Sequence, residues 1–460
     1  MNALEQKARA EAGIRWAEGV LGARAVSMRG QNRWRPHWFV DFEKPDGDIL
    51  QILMRGYRNP GYMDEARSRR YLAKEAQIYR ALEGTGVKAP RAYGYDPEAG
   101  WLLLERMPGD HELSKLKDRA TQKQIFREYV DNLVRMHKLD YRDLDLPADI
   151  VPSNANATLD LTLGSDGQEV VTRPEPLFEL CSWWFKTYRP APPDRLSLCG
   201  ADMGAEQFMF HEGHFRGIFD IEAACINDPL LDACSMRNRD MLWPVPDAPE
   251  YVRYWAEQMG RELDRTSVTY WTLICLFPIL VPLYRFMEKP DPRFPADCLQ
   301  LHASDTHHRR GSVEALAEFY GVPLSPPPPP PETHDRMSAL GELIGEQIRA
   351  VYMPKVDEDT AYQLACTAAL ADSAALRQSA WPGMARQTLG EIAEILGYQP
   401  SDLDAGLAAL EERVRKDPEG DLHRVLPVLH NMEVRREYLF APIKKLADYA
   451  LNSPLQRLWP

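Results

Sequence analysis

The stretch from Leu196 to Ala233 constrains the fold more than any other part of the chain. It reads LSLCGADMGAEQFMFHEGHFRGIFDIEAACINDPLLDA. A short apolar run, Leu196–Cys199, ends in the loop Gly200-Ala201-Asp202. A second, Gln207–Phe210, reaches the turn His211-Glu212-Gly213-His214. A third, Gly217–Phe219, ends at Asp220. Runs this short, broken by glycine and polar turns, make small strands and not helices. Two carboxylates, Asp202 and Asp220, therefore stand at strand ends, with the amide of Gln207 between them. Alone, each acid reads as a turn cap. Together, acid, amide and acid on loops at a sheet edge can hold a magnesium–nucleotide and accept a hydroxyl proton.

The ordered set continues through Glu222, Asn227-Asp228-Pro229 and Asp232. On these residues the chain resembles the aminoglycoside phosphotransferase and choline kinase superfamily, which has the protein-kinase-like fold. That family usually shows His-Gly-Asp, then Asn, then Asp-Trp-Glu, then Gly-Asp-Pro and a further Asp. Gly200-Ala201-Asp202, Gln207, Asp220-Ile221-Glu222, Asn227-Asp228-Pro229 and Asp232 stand at those places. The resemblance is closest to the phosphotransferase-like domains associated with acyl-CoA dehydrogenases. Their Asn-Phe-Met-Phe run is similar to Gln207-Phe208-Met209-Phe210. Two positions depart from the pattern: Gly200 replaces the usual His, and Gln207 the usual metal-binding Asn. Gln keeps the amide oxygen on a side chain one methylene longer, and Mg²⁺ demands near-ideal octahedral geometry.

The resemblance implies ATP and Mg²⁺ as cofactors and a small-molecule hydroxyl as acceptor. It implies Asp202 as the group that takes the hydroxyl proton, and Gln207 and Asp220 as metal ligands. Glu222 would support a second metal or brace the loop. Asp228 and Asp232 would tie the catalytic loop to the next helix. By analogy with the dehydrogenase-linked relatives, the acceptor is a hydroxyacyl-CoA or another hydroxylated catabolite. The departures leave a second reading open: a kinase-fold protein that no longer transfers phosphate and serves binding, scaffolding or other acid–base chemistry in the same cleft.

Upstream, residues 1–107 read as a nucleotide-binding lobe. Leu4–Leu21 has helical periodicity. Ala25–Gly30 and Trp38–Phe42 read as a hairpin around Gly30-Gln31-Asn32-Arg33, whose single glycine alone marks only a turn. Pro45-Asp46-Gly47-Asp48 then leads into the strand Ile49–Arg55. In the family this strand carries the cation that meets nucleotide phosphates, and Arg55 stands there. Arginine suits the task because its fork matches phosphate oxygens and its charge is permanent. In the helix Asp64–Leu82, Lys74-Glu75-Ala76 resembles the family's Arg-Glu-Ala, so Glu75 would fix Arg55. Trp101–Met107 reads as a buried strand before Pro108-Gly109. It resembles the hinge, where the backbone of Glu105, Arg106 and Met107 would face adenine.

Residues 108–323 read as a mainly helical lobe. Thr121–His137 is strongly periodic, with His137 a packed helix end. Ser153–Val171 reads as a surface loop and Leu177–Tyr188 as a helix. The aromatic helices Asp247–Arg261 and Arg265–Met287 read as core, and in the family such helices wall the acceptor site. His302, Asp305, His307 and His308 lack the spacing that stacks two imidazoles on one helical face, so they read as an exposed polar helix. Six consecutive prolines, Pro326–Pro331, form a polyproline II spacer and place a linker at 324–334. Residues 335–460 read as a helical bundle: Met337–Val351, Asp357–Gln378, Trp381–Leu396, Ser401–Lys416, Asp421–Val434 and Arg436–Leu451, with Asp357 and Ser401 as N-caps. Such a bundle offers a route to a homo-oligomer. The expected class is α+β, a two-lobed protein-kinase-like fold followed by an all-α bundle.

Composition excludes some partners. A net charge of −13 argues against a general nucleic-acid binder. The seven cysteines form no CxxC pair and are odd in number, which favours free thiols in a reducing cytoplasm. Residues 1–15 lack a signal peptide's apolar core. The longest apolar run, Leu273–Tyr284, is interrupted by Pro278 and Pro282 and is too short to span a bilayer. No membrane partner is expected.

Overall fold

A computed structural model describes residues 3–32, 35–58, 64–160, 174–330, 336–447 and 453–459. Most of the loop expected at 153–171 lies outside these residues, as do Arg33, Pro331 and the end of the expected linker. The chain divides into two compact units. The first comprises Met1–Ala155, Asp194–Asp232 and Glu257–Gly260, and the second the intervening segments and Arg261–Pro460.

The first unit opens with α1 (Ala3–Leu21), followed by β1 (Arg24–Asn32), β2 (Pro36–Glu43) and β3 (Ile49–Gly56). After α2 (Glu65–Leu82) come β4 (Ala92–Asp96) and β5 (Trp101–Glu105). The five strands form an antiparallel sheet in the order β1-β2-β3-β5-β4. Strand alternation sorts its two faces. Val40, Phe42, Ile52, Met54, Trp101 and Leu103 pack with Ala10, Ile14 and Ala17 of α1. Gln51, Leu53 and Arg55 therefore project from the other face. Asp64 caps α2 by accepting from the Arg67 amide at 2.8 Å, satisfying one of the donors that a helix start leaves open.

Beyond α3 (Arg119–Lys138), two ribbons of short strands carry the central stretch. β6 (Ser197–Cys199) pairs with β9 (Cys225–Asn227), and β7 (Phe208–His211) with β8 (His214–Ile218). β8 begins earlier than the expected 217–219. Glu212 and Gly213 both take positive φ, at 51° and 77°, so the turn closes in two residues and pairing resumes at His214.

The second unit is helical among the described residues. It contains α4 (Ala157–Asp160), α5 (Pro176–Thr187), most of α6 (Leu230–Asp240) and of α7 (Ala248–Met259), α8 (Arg265–Leu276), α9 (Leu280–Glu288) and α10 (Pro295–Tyr320). After the prolines come α11 (Arg336–Gln347), α12 (Glu358–Leu396), α13 (Leu403–Lys416), α14 (Leu422–Leu439) and α15 (Ala441–Ala447). Arg265–Tyr284 is long and apolar enough to cross a membrane by length and composition, a longer run than the sequence reading gave. It is 56% buried, and Trp271, Leu273, Leu276 and Leu280 lie in the core.

Three expectations for this region are corrected. α10 is buried, not exposed: His307 and Arg309 retain only 2% of their surface. Its charges enter the core in pairs. Arg309 reaches Asp305 at 2.8 Å and Glu175 at 2.9 Å, and Arg310 reaches Glu314 and Glu437, both at 2.8 Å. A charge so partnered tolerates burial. The segments expected at 357–378 and 381–396 form one helix of 39 residues, α12, which runs through Pro382. That proline is exposed, so water can serve the carbonyl it frees. The cap of α13 is Asp402 in place of Ser401, its carboxylate accepting from the Ala405 amide at 2.8 Å.

α10 packs against α12, α14 and α15, and the Leu455 amide donates to Glu314 at 2.6 Å. A protease cut between Leu324 and Asp335 is therefore expected to leave two fragments that co-elute on size exclusion without denaturant. Separation would strand the Arg310–Glu437 pair. Fragments eluting apart and folded would show that the helices after the prolines stand alone.

Candidate active site

β3 delivers Arg55 to the face of the first sheet opposite α1, where it is almost fully buried. Its Nε donates to Glu75 of α2 at 3.0 Å, and Nη1 lies 3.3 Å from His37 Nε2 on the adjoining strand. Its Nη2 pairs with Asp220. Burial acts against the Arg55 charge, but Asp220 and Glu75 outweigh it and hold the guanidinium more firmly protonated. Burial raises the Glu75 carboxyl, opposed by Arg55 and Arg35. The His37 ring is pushed well below its usual range by burial and by the adjacent Arg55 and Arg35, so it stays neutral.

A second cluster stands beside the first. Glu222 pairs with Arg35 and with Arg58, whose Nε lies 3.0 Å away. Burial would raise Glu222, but the two guanidiniums hold it well below the usual carboxylate range. Sequence reasoning missed Arg35, Arg58 and His37. Only the register of His37 opposite Arg55 could have pointed to one of them.

The loop carrying Asp202 is fixed from behind by Asp232, in the first turn of α6. The Asp232 carboxylate accepts from the Gly200 amide at 2.9 Å and the Ala201 amide at 2.8 Å, and its Oδ2 lies 3.0 Å from His137 Nε2. Ser197 Oγ donates to the His137 carbonyl at 2.7 Å. His137, Cys199 and Asp232 lie close enough together to hold a metal, but both Asp232 oxygens already accept these bonds. Asp228 caps α6, accepting from the Leu230 amide at 2.9 Å. Ala201, Glu206 and Asp220 have φ of 65°, 66° and 58°. Non-glycine residues held left-handed cost about 1–3 kcal/mol each and cluster at functional sites.

Gln207 is buried at the start of β7. The Phe219 amide donates to its carbonyl at 3.0 Å, which sets Gln207 beside the chain entering Asp220. Its Nε2 donates to Asp202 Oδ2 at 3.1 Å. Its Oε1 is buried and has no hydrogen-bond partner among the described residues. A buried amide oxygen left without a donor is costly. An amide oxygen of this kind, on a side chain that also bonds the Asp202 carboxylate, is a donor type that fits a hard divalent cation.

A cavity of about 550 Å³ opens on the face of the sheet opposite α1, lined by Ser27, Phe39, Asp41, Gln51, Met107 and Met209 among others. Phe39 stands in register with Leu53, two residues from Arg55 along β3. Phe39 and Met209 of β7 offer the cavity apolar surface suited to a flat ring. Asp41 bridges Ser27 at 2.6 Å and Arg106 at 2.8 Å. Met107 lines the cavity, whereas Glu105 does not: its carboxylate accepts from the Arg91 amide at 3.2 Å, and its own amide donates to the Arg91 carbonyl at 2.9 Å. Phe39 and Asp41 were missed, although strand alternation puts them on the face that carries Arg55.

Residues 52–268 match the model of the phosphotransferase enzyme family, and the resemblance to the aminoglycoside phosphotransferase superfamily is borne out over that segment. No curated protein matches the chain. Among solved structures, a candidate aminoglycoside phosphotransferase of Ralstonia eutropha JMP134 is 16% identical, covers 68% of this chain and 98% of its own, and superposes with a TM-score of 0.50. A macrolide 2′-phosphotransferase type I is 12% identical, covering 64% of this chain and 97% of its own at a TM-score of 0.47. Macrolide 2′-phosphotransferase MphH from Brachybacterium faecium is 14% identical, covering 66% and 98% at 0.43. The first of these shows that the two chains share a fold.

Proposed function

We propose, from the phosphotransferase family pattern carried by residues 52–268, that this chain moves the γ-phosphoryl group of ATP to a hydroxyl of a small molecule. ATP lies with its base between Phe39 and Met209 against the backbone at Met107, and its phosphates run toward Arg55. Glu75 and His37 hold that guanidinium in place. Gln207 and Asp220 would hold a magnesium ion, which would supply positive charge to the phosphate oxygens. Asp202 takes the proton of the acceptor hydroxyl as its oxygen bonds to the γ-phosphorus and the bond to ADP breaks. Positioning and fixed charge supply most of the rate. The acceptor class we propose is a hydroxyacyl-CoA or another hydroxylated catabolite, supported by the run Gln207-Phe208-Met209-Phe210.

The observation that carries this reading is the partnerless, buried Gln207 Oε1. The alternative, a kinase-fold chain that does not transfer phosphate, draws on Gly200. A Cβ there would fall 2.6 Å from Met203 Cγ and Sδ, so Met203 fills the room that the family's His needs. Titrating Mg²⁺·ATP into the wild type, Gln207→Asn and Gln207→Ala separates the two. Transfer chemistry gives magnesium-dependent heat in the wild type, weaker turnover in Gln207→Asn, whose shorter arm falls short, and less again in Gln207→Ala. Losses of about 10- to 100-fold are the scale for disturbing a metal site. No magnesium-dependent heat in the wild type, with heat appearing in Gln207→Asn, would establish the alternative.

A further inference from the structure

α11 is built inside out. The face it turns to α12 carries Ser338, Gly341 and Gly345. A Cβ on Gly341 would meet Ala375 Cβ at 2.8 Å, so only a bare backbone fits there. Its large aliphatics point the other way. Met337, Leu340, Leu343 and Ile344, with Val351 and Tyr352 in the turns that follow, retain between 40% and 60% of their surface. A helix on a water-facing surface normally buries such residues and exposes its small and polar ones. The reversed pattern means that the outer face was shaped for contact. Contiguous apolar patches of this size mark interaction sites.

We infer that this face pairs with the same face of a second copy of the chain, about a two-fold axis near Leu343. The exposed area selects that occupant. The six side chains offer roughly 550 Å², so a symmetric pair buries about 1,100 Å², above the ~1,000 Å² that a specific interface must clear. A lipid surface is disfavoured. Interfacial helices are rich in Lys and Arg on their polar face, whereas α11 carries Glu342 and Glu346 in a chain of net charge −13. The pairing is independent of the phosphoryl-transfer reading.

Light scattering on the full chain tests it. The wild type is expected at twice its 52.5 kDa chain mass. Leu343→Asp is expected to be monomeric, with the dimer dissociation constant raised about 100-fold or more, since it sets two charges at the centre of the contact. Because Leu343 is 59% exposed, the variant should keep the wild-type circular dichroism and melting temperature. A monomeric wild type at 100 µM overturns the inference, as does a dimer indifferent to Leu343→Asp. Wild type that pellets with phosphatidylcholine–phosphatidylserine vesicles while staying monomeric, a property lost in Leu343→Asp, assigns the face to lipid instead.

Discussion

Asp202→Asn is expected to lower phosphoryl transfer by about 10²- to 10⁴-fold, the range for removing a positioned general base, with nucleotide affinity nearly unchanged. Under the role proposed for Asp202, this substitution isolates proton transfer. Asp202 Oδ2 accepts from Gln207 Nε2 at 3.1 Å, and an Asn amide oxygen can take the same bond, so the loop keeps its shape. What disappears is the capacity to hold the acceptor's proton. The loss should fall on kcat with KM for ATP preserved, the signature of an interaction made in the transition state. Loss of ATP binding in a folded variant would move Asp202 from the acceptor to the nucleotide or its metal.

The second large effect is on stability. Asp232→Ala removes a fully buried carboxylate that accepts from two backbone amides and contacts His137. Breaking a buried charged group of this kind costs about 3–5 kcal/mol, because the donors stay behind without partners. Asp232→Asn keeps one acceptor and should cost less, about 1–3 kcal/mol. Urea denaturation of the three proteins gives the ordering, and equal midpoints for wild type and alanine variant would show that water or a neighbour replaces the carboxylate. Both variants should also lose turnover, since Gly200 and Ala201 lead directly into Asp202.

Legibility from sequence followed the range of the interactions. The strand ends carrying Asp202 and Asp220, the helix with Glu75, and the strand with Arg55 came from local periodicity and turn residues, which act within a few positions. Strand β9, three residues long, gave no periodic signal. The Arg35–Glu222 and Arg58–Glu222 pairs join residues more than 160 positions apart, and nothing local marks them. α10 misled for a related reason. Its charges are local facts, but their partners Glu175 and Glu437 are distant, so a polar sequence went inside. Pro382 should have ended a helix by local rules, and α12 overrides it through packing along its whole length. The inverted face of α11 could not be seen either, because periodicity shows that a helix has two faces and not which one the fold will cover.

Ala201, Glu206 and Asp220 hold the left-handed backbone that glycine adopts without strain. Folding alone would favour glycine at each place, yet glycine would also let the loop around Asp202 and the chain at Asp220 sample many more shapes. The chain thus keeps a small reserve of native-state strain in exchange for a stiff loop. Selection for heat resistance without selection for turnover would drain that reserve first, and a lineage drifting toward glycine at 201 or 206 would grow sturdier as its catalytic geometry blurred.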